Sequence, residues 1–352
     1  MSKYWSDVVK RLEPYTPGEQ PRDRKYIKLN TNENPYPPSP RAIEAIKRAA
    51  DESMRLYPDP DCSRLKSVIA EHFGLKREQV FVGNGSDEVL AFSFAAFFNP
   101  GNPILFPDIT YTFYPVYCML YNIDYKTVPL DDDFNISAGK FLQDNGGIIF
   151  ANPNAPTGKF MDLPFVEEIV QYNAERVVVI DEAYVDFGGR SAVKLIDKYP
   201  NILVIRTLSK SHSLAGLRVG FALGHADLIA GLERVKNSFN SYTLDRAALM
   251  GAEEAIRDTE YYEKTRDKII RTREWVGPEL EKLGFKVTDS LANFVFASHK
   301  SMRAEYLFKS LREEGILVRY FNRPRIDNYL RITIGTDPEM EQLIKVLEDI
   351  VG

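Results

Sequence analysis

A lysine that is to attack a carbonyl must lose its proton and stand where water does not solvate it freely, and Lys210 has the surroundings for that chemistry. It follows the apolar run Ile202–Ile205, and Thr207 and Ser209 come just before it, so a strand ending there would leave its amine at the mouth of a sheet. Upstream, the apolar run Val177–Ile180 ends in a carboxylate, Asp181, and a phenol, Tyr184, follows it closely. Arg218 precedes a third apolar run, Val219–Leu223. A lone lysine would read as a surface residue. Here an amine, a carboxylate and a phenol gather at two strand ends, and an arginine lies close by.

Pyridoxal 5'-phosphate requires such a set. Its aldehyde needs a lysine, its ring nitrogen needs a carboxylate to stay protonated and accept electrons, and its phosphate needs hydroxyls, backbone N–H groups and an arginine. The segments Asp181–Tyr184 and Ile205–Gly220 resemble those of class I/II aminotransferases, of the pyridoxal-phosphate fold-type I superfamily. The likeness runs from Leu12–Tyr15 almost to the C-terminus and is greatest to the branch that acts on histidinol phosphate.

That resemblance implies transfer of an amino group between L-histidinol phosphate and 2-oxoglutarate, giving imidazole-acetol phosphate and glutamate, in L-histidine biosynthesis. It implies a homodimer with shared active sites. Lys210 would carry the cofactor and shuttle a proton, Asp181 would pair with the ring nitrogen, Tyr184 would bond the ring oxygen and Tyr111 would stack on the ring. Ser86, Asp87, Ser209 and Arg218 would hold the phosphate, with Tyr57 reaching in from the neighbouring copy. Arg331 matches the arginine that grips a substrate carboxylate, Arg319 and Tyr15 match positions around the substrate phosphate, and Asn32 lies in the segment Leu29–Tyr36 that the family sets beside the site. One departure stands out. Asn152–Gly158 resembles the family's Asn-Pro-Thr-Gly signature, but Ala155 stands where an asparagine usually bonds the ring oxygen. Either Asn154 takes over that bond or Tyr184 carries it alone.

Three other readings share these residues: an aromatic amino acid aminotransferase, a phospho-amino-acid decarboxylase of the same fold, and a regulator that uses the fold as a sensor. The last needs a DNA-binding domain, and the proline-rich first 40 residues are too short to be one.

The elements that must position these groups can be read from the pattern. Short, β-branched apolar runs at Gln79–Val82, Ile104–Phe106, Asp124–Val128, Ile148–Ala151, Val177–Ile180, Ile202–Ile205 and Val219–Leu223 alternate in part with helical stretches such as Leu163–Asn173 and Ser191–Lys198. They predict an α/β large domain with a seven-stranded, mainly parallel sheet covered by helices on both faces. Such sheets bind ligands beyond the carboxyl ends of their strands, which is where Ser86, Asp181 and Lys210 fall. The loop Gly83–Glu88 feeds the apolar helix Val89–Phe98 and offers free N–H groups and a positive dipole end. It lacks the Gly-Lys-Ser/Thr ending of a P-loop, and Glu88 occupies the third-glycine position of a dinucleotide fingerprint.

Helices are expected at Pro40–Met54 and at Ser63–Phe73, the latter capped by Ser63. Prolines rule out a long regular element before Pro40, so this stretch should run as an arm over the surface, with a short helix at Ser6–Leu12. A helical region from Ala226 to Glu281 leads out of the large domain into Phe285–Val287, Asn293–Phe296, Ala304–Glu314, Ile316–Arg319, Leu330–Ile334 and Pro338–Ile350, a smaller α+β domain. The expected division is an arm at 1–30, the large cofactor-binding domain at 31–258 and the small domain at 259–352.

Composition closes off other classes. A chain of 352 residues, 44% hydrophobic and 27% charged, can bury a sizeable core. A net charge of −5 with scattered basic residues speaks against a nucleic-acid partner. No apolar run has the length of a membrane span and the start lacks a signal-peptide core, so the expected location is the cytoplasm. Two cysteines cannot build a disulfide framework, and the four histidines show no metal-ligand spacing, so no metal is expected.

Overall fold

The computed structural model describes residues 2–352. A seven-stranded sheet is formed by β1 (Val80–Asn84), β2 (Ile104–Pro107), β3 (Tyr125–Val128), β4 (Ile148–Ala151), β5 (Val178–Asp181), β6 (Ile202–Thr207) and β7 (Val219–Gly224). Their order is β1-β7-β6-β5-β4-β2-β3, and all run in one direction except β7, which is antiparallel to both its neighbours. The period-2 geometry of a strand sends successive side chains to opposite faces, and here both faces are covered. Val178 and Ile180 pack on one side with Ile169 and Val204, whereas Val179 packs on the other with Leu203, Ile205 and Phe94. That two-sided burial is why these strands read as unbroken apolar runs.

The antiparallel β7 brings Arg218 to the site. Val219 lies opposite Asn84 and Gly220 opposite Thr207, so the residue before β7 arrives at the edge where β1 and β6 end. Asp181 closes β5 on that same edge, in register with Ala151 and Ile205.

A second sheet, β8 (Phe285–Val287), β9 (Phe294–His299), β10 (Arg319–Tyr320) and β11 (Leu330–Thr333), is antiparallel in the order β10-β11-β9-β8. It packs with the helices Thr259–Lys282, Ala304–Glu313 and Asp337–Val351 around Ile269, Val295, Leu307, Ile332 and Leu343.

Four local expectations need correction. Ile27–Lys28 is a short strand paired in parallel with Ile316–Leu317, and Leu29 is buried in the small-sheet core, so the arm's last residues are built into the structure. The helix Ser63–Phe73 is capped from Asp59, whose carboxylate accepts the N–H groups of Asp61 at 3.0 Å and Ser63 at 2.7 Å. The stretch Ser191–Lys198 forms only a tight turn at Ala192–Leu195, because the Ser191 hydroxyl and the Ala192 N–H are both drawn to the Glu182 carboxylate at 2.6 Å. The helix expected from Val89 starts at Gly85, with no side-chain cap. Among the described residues, no helix is long and apolar enough to cross a membrane.

Candidate active site

A cavity of about 470 Å³ opens at the carboxyl edge of the large sheet and is closed from the other side by the small sheet and the segment around Asn32. It is lined by Lys210, Asp181, Tyr184, Ser86, Asp87, Tyr111, Ser209 and Arg218 on one side and by Tyr15, Asn32, Arg319 and Arg331 on the other.

Lys210 sits in the turn after β6, where its amine donates to the Thr31 carbonyl at 3.2 Å. Burial, reinforced by the nearby Arg331 cation, pushes its ammonium down to about 8, so a useful fraction is neutral near physiological pH. Asp181 accepts from the Tyr114 hydroxyl at 3.0 Å and from the Ala183 N–H at 3.2 Å. Burial pushes this carboxyl up to about 6, against the pull of those two donors. The Tyr184 hydroxyl accepts from the Asn32 amide at 3.0 Å, and its ring meets Phe294 edge-on at 5.1 Å.

The helix start at Gly85 makes an anion cradle. With no side-chain cap, the first-turn N–H groups are left over, as a phosphate would need. Gly85 has φ +77°, and a Cβ there would run into the Arg218 guanidinium, while a Cβ on Gly220 would run into the Ser86 N–H. The two glycines let Arg218 and the helix start close on one point. Arg218 donates to the Asp87 carboxylate at 3.0 Å, and the Tyr111 hydroxyl donates to its other oxygen at 2.9 Å. Ser209 is held by the Thr207 hydroxyl at 2.9 Å.

Two expected residues do not reach this cavity. The Asn154 side chain is fully buried, accepting from Thr110 at 2.8 Å and donating to the Ile109 carbonyl at 2.9 Å, and it is Ala155 that faces the cavity. Tyr57 is 77% exposed and stacks on Tyr242 with ring centroids 4.5 Å apart. His212 also stays outside the cavity, stacked on Tyr262 at 4.5 Å, with burial pushing its imidazolium down to about 4.

Sequence reasoning missed Tyr114 and Asn34. Tyr114 begins the apolar helix Tyr114–Tyr121 and reads as core, and nothing local signals its bond to Asp181. Asn34 donates to the carbonyls of Lys210 at 2.9 Å and Ser211 at 3.2 Å. The cluster of amides at Asn30, Asn32 and Asn34 was its only signal.

The donor set suits pyridoxal phosphate at each end: a buried carboxyl, a depressed lysine, a phenol and an uncapped helix start beside an arginine. On the far wall, Arg319 and Arg331 are direct register partners on β10 and β11, so both guanidiniums leave the same face. Arg331 Nε is buried with no hydrogen-bond partner among the described residues.

Comparison with known proteins identifies the family. The family described as aminotransferase class I and II matches residues 24–347. The chain is 58% identical over 352 residues to the histidinol-phosphate aminotransferase of Clostridium acetobutylicum, covering 100% of both chains. It is 58% identical to that of Clostridium beijerinckii, covering 100% of this chain and 98% of the other. The solved structure of histidinol-phosphate aminotransferase from Sinorhizobium meliloti in complex with pyridoxal-5'-phosphate matches with a TM-score of 0.90 at 24% identity, covering 100% of this chain and 98% of that one.

Proposed function

The chain belongs to the class I and II aminotransferase family, and from that premise we propose how its residues carry out the transamination of histidinol phosphate, the reaction of histidine biosynthesis for which its relatives are named. The enzyme depends on pyridoxal phosphate, which supplies an electron sink for the carbon that loses and gains the amino group.

Within this reading, Lys210 would hold the cofactor covalently and would hold and return the proton of the reacting carbon. Its depressed basicity serves both tasks, because an amine near 8 can give and take a proton at neutral pH. Asp181 would keep a proton on the ring nitrogen, and a buried carboxylate whose hydrogen-bond donors are the Tyr114 hydroxyl and the Ala183 N–H would gain from that partner. Tyr184, whose hydroxyl accepts from Asn32, would have its own proton free for the ring oxygen, so the place of Ala155 need not be filled. Ser86, Asp87 through its N–H, Ser209 and Arg218 hold the phosphate.

The observation that carries the substrate assignment is the Arg319–Arg331 register pair. Like charges directly opposite on adjacent strands repel unless an anion lies between them, and a phosphate can satisfy both. Tyr15, stacked on Phe113 at 4.8 Å, adds a phenol to that wall. The acceptor in the second half-reaction is 2-oxoglutarate, whose carboxylate Arg331 grips in the same place.

The reading extends to a homodimer in the cytoplasm. Tyr57, Met54, Leu56 and Phe239 are each more than half exposed, apolar surface of the kind an interface covers, and Tyr57 does not line its own cavity. Both cysteines are free, as in a reducing compartment.

The test is a half-reaction panel read from the bound cofactor's absorbance. Histidinol phosphate and glutamate should each convert it, with histidinol phosphate ahead of phenylalanine and tyrosine. Carbon dioxide release without any need for a 2-oxo acid would instead identify a decarboxylase.

A further inference from the structure

The segment from Leu29 to Asn34 touches both halves of the site. On the small-sheet side, Thr333 N–H donates to the Leu29 carbonyl at 2.9 Å, Arg331 donates to the Asn30 carbonyl at 2.8 Å and Asn293 donates to the Asn32 carbonyl at 3.0 Å. On the large-sheet side, Asn32 donates to the Tyr184 hydroxyl, the Thr31 carbonyl receives the Lys210 amine, and Asn34 spans the two carbonyls of Lys210 and Ser211.

Asn34 is the firmest of these ties. Its amide nitrogen has two hydrogens, one for each carbonyl, and its oxygen accepts from the Tyr36 N–H at 3.0 Å, so the side chain is used at both ends. The turn it holds is tight, with Ser213 at φ 60° and the Ser211 hydroxyl tied to Asp186 at 2.6 Å. The Lys210–Ser211 pair is thus gripped through its carbonyls from the front and through a hydroxyl from behind. A lysine side chain is long and flexible, so where its amine reaches depends on how firmly its backbone is fixed.

We propose that Asn34 is a positioning residue for Lys210, and that the strap Leu29–Asn34 ties the anion-binding wall at Arg331 to the reach of the lysine amine. The proposal rests on the reading of Lys210 as the residue that bears the cofactor. A misplacement of about 1 Å at a reacting group can cost on the order of a hundredfold in rate, so loss of two backbone bonds should be visible in turnover. Substrate binding through Arg319 and Arg331 should be largely spared, since Asn34 touches neither.

The experiment compares Asn34→Ala and Asn34→Asp with the native holoenzyme. The aspartate keeps the acceptor for Tyr36 and loses the donors. For both, kcat per bound cofactor should fall at least about tenfold, about 1.4 kcal/mol of barrier, while KM for histidinol phosphate stays within about twofold. The visible circular dichroism of the bound cofactor should change, with the far-ultraviolet spectrum preserved. If the alanine variant does not accumulate, Asn34→Ser, which reaches one carbonyl at most, should give an intermediate loss.

A kcat per bound cofactor within about twofold of native, or a loss carried wholly by KM, would overturn the proposal. Borohydride reduction and peptide mapping of the native protein separate the two levels of the argument. A label away from Lys210 removes the site reading itself, whereas a label on Lys210 with indifferent Asn34 variants removes only the strap.

Discussion

The Tyr114 hydroxyl donates to the Asp181 carboxylate at 3.0 Å, and the two side chains are buried together where β5 ends. One neutral donor and one N–H are modest company for a buried carboxylate, which is why burial prevails and its affinity for a proton rises. A group in that state waits for a cation, and a protonated ring nitrogen meets the need. Tyr114 itself is held far from ionisation by burial and by the carboxylate, so it remains a donor across the working range.

That relationship predicts how the cofactor-free protein responds to pH. Asp181 is raised from 3.8 to about 6 on folding, so between those values the folded chain holds a proton that the unfolded chain has lost. The cost of the buried charge is therefore full above about pH 6, shrinks as pH falls, and is gone below about pH 4. Asp181→Asn should stabilise the apoprotein at pH 7.5 by something on the order of 1–3 kcal/mol, with the gain vanishing toward pH 4, and should abolish transamination. Thermal melting of both proteins across that range is the check. A stability difference that does not vary with pH would refute it.

The pattern of what was legible follows from the range of each interaction. Lys210, Asp181 and Arg218 drew notice because each flanks an apolar run, Arg218 just before one and the other two after, and the sheet could be read because strands buried on both faces leave long apolar signatures. Tyr114 was hidden because its hydroxyl meets Asp181 only after the helix packs on the sheet. The Arg319–Arg331 pairing depends on the register of β10 and β11, which two sequence segments do not reveal separately. Asn154 misled because an amide beside the signature looks available, whereas the fold uses it on Thr110 and Ile109.

Tyr57 lies on the surface, held by the Arg246 guanidinium at its carbonyl and by Tyr242 at its ring, and its proposed task is in a neighbouring copy. Mixed and re-associated Lys210→Ala and Tyr57→Ala proteins should then regain activity that neither has alone. Random pairing makes about half the dimers hybrid, each with one native site, so recovery should approach about a quarter of the native value. Sedimentation should give a dimer throughout. A monomer with full activity, or mixtures no better than their parents, would rule the shared site out.

Arg319 and Arg331 face the cavity as a pair, yet their removal should have different consequences. Arg319, on β10, is tethered to the Thr16 and Pro17 carbonyls at 3.1 and 3.3 Å, whereas Arg331 donates to the Asn30 carbonyl of the strap. A charge-assisted bond is worth roughly 1.5–3 kcal/mol, so Arg319→Ala should lower kcat/KM for histidinol phosphate by about ten- to a hundredfold. Phenylalanine, which brings no phosphate, should lose far less. Arg331→Ala should impair histidinol phosphate and glutamate alike, because under the proposed function its guanidinium would serve either anion, and it also holds the Asn30 carbonyl. Steady-state kinetics with the three amino donors separates the cases. If Arg319→Ala leaves the ratio of histidinol phosphate to phenylalanine unchanged and phenylalanine reacts as well as histidinol phosphate in the native protein, the wall does not read phosphate and the enzyme is an aromatic aminotransferase.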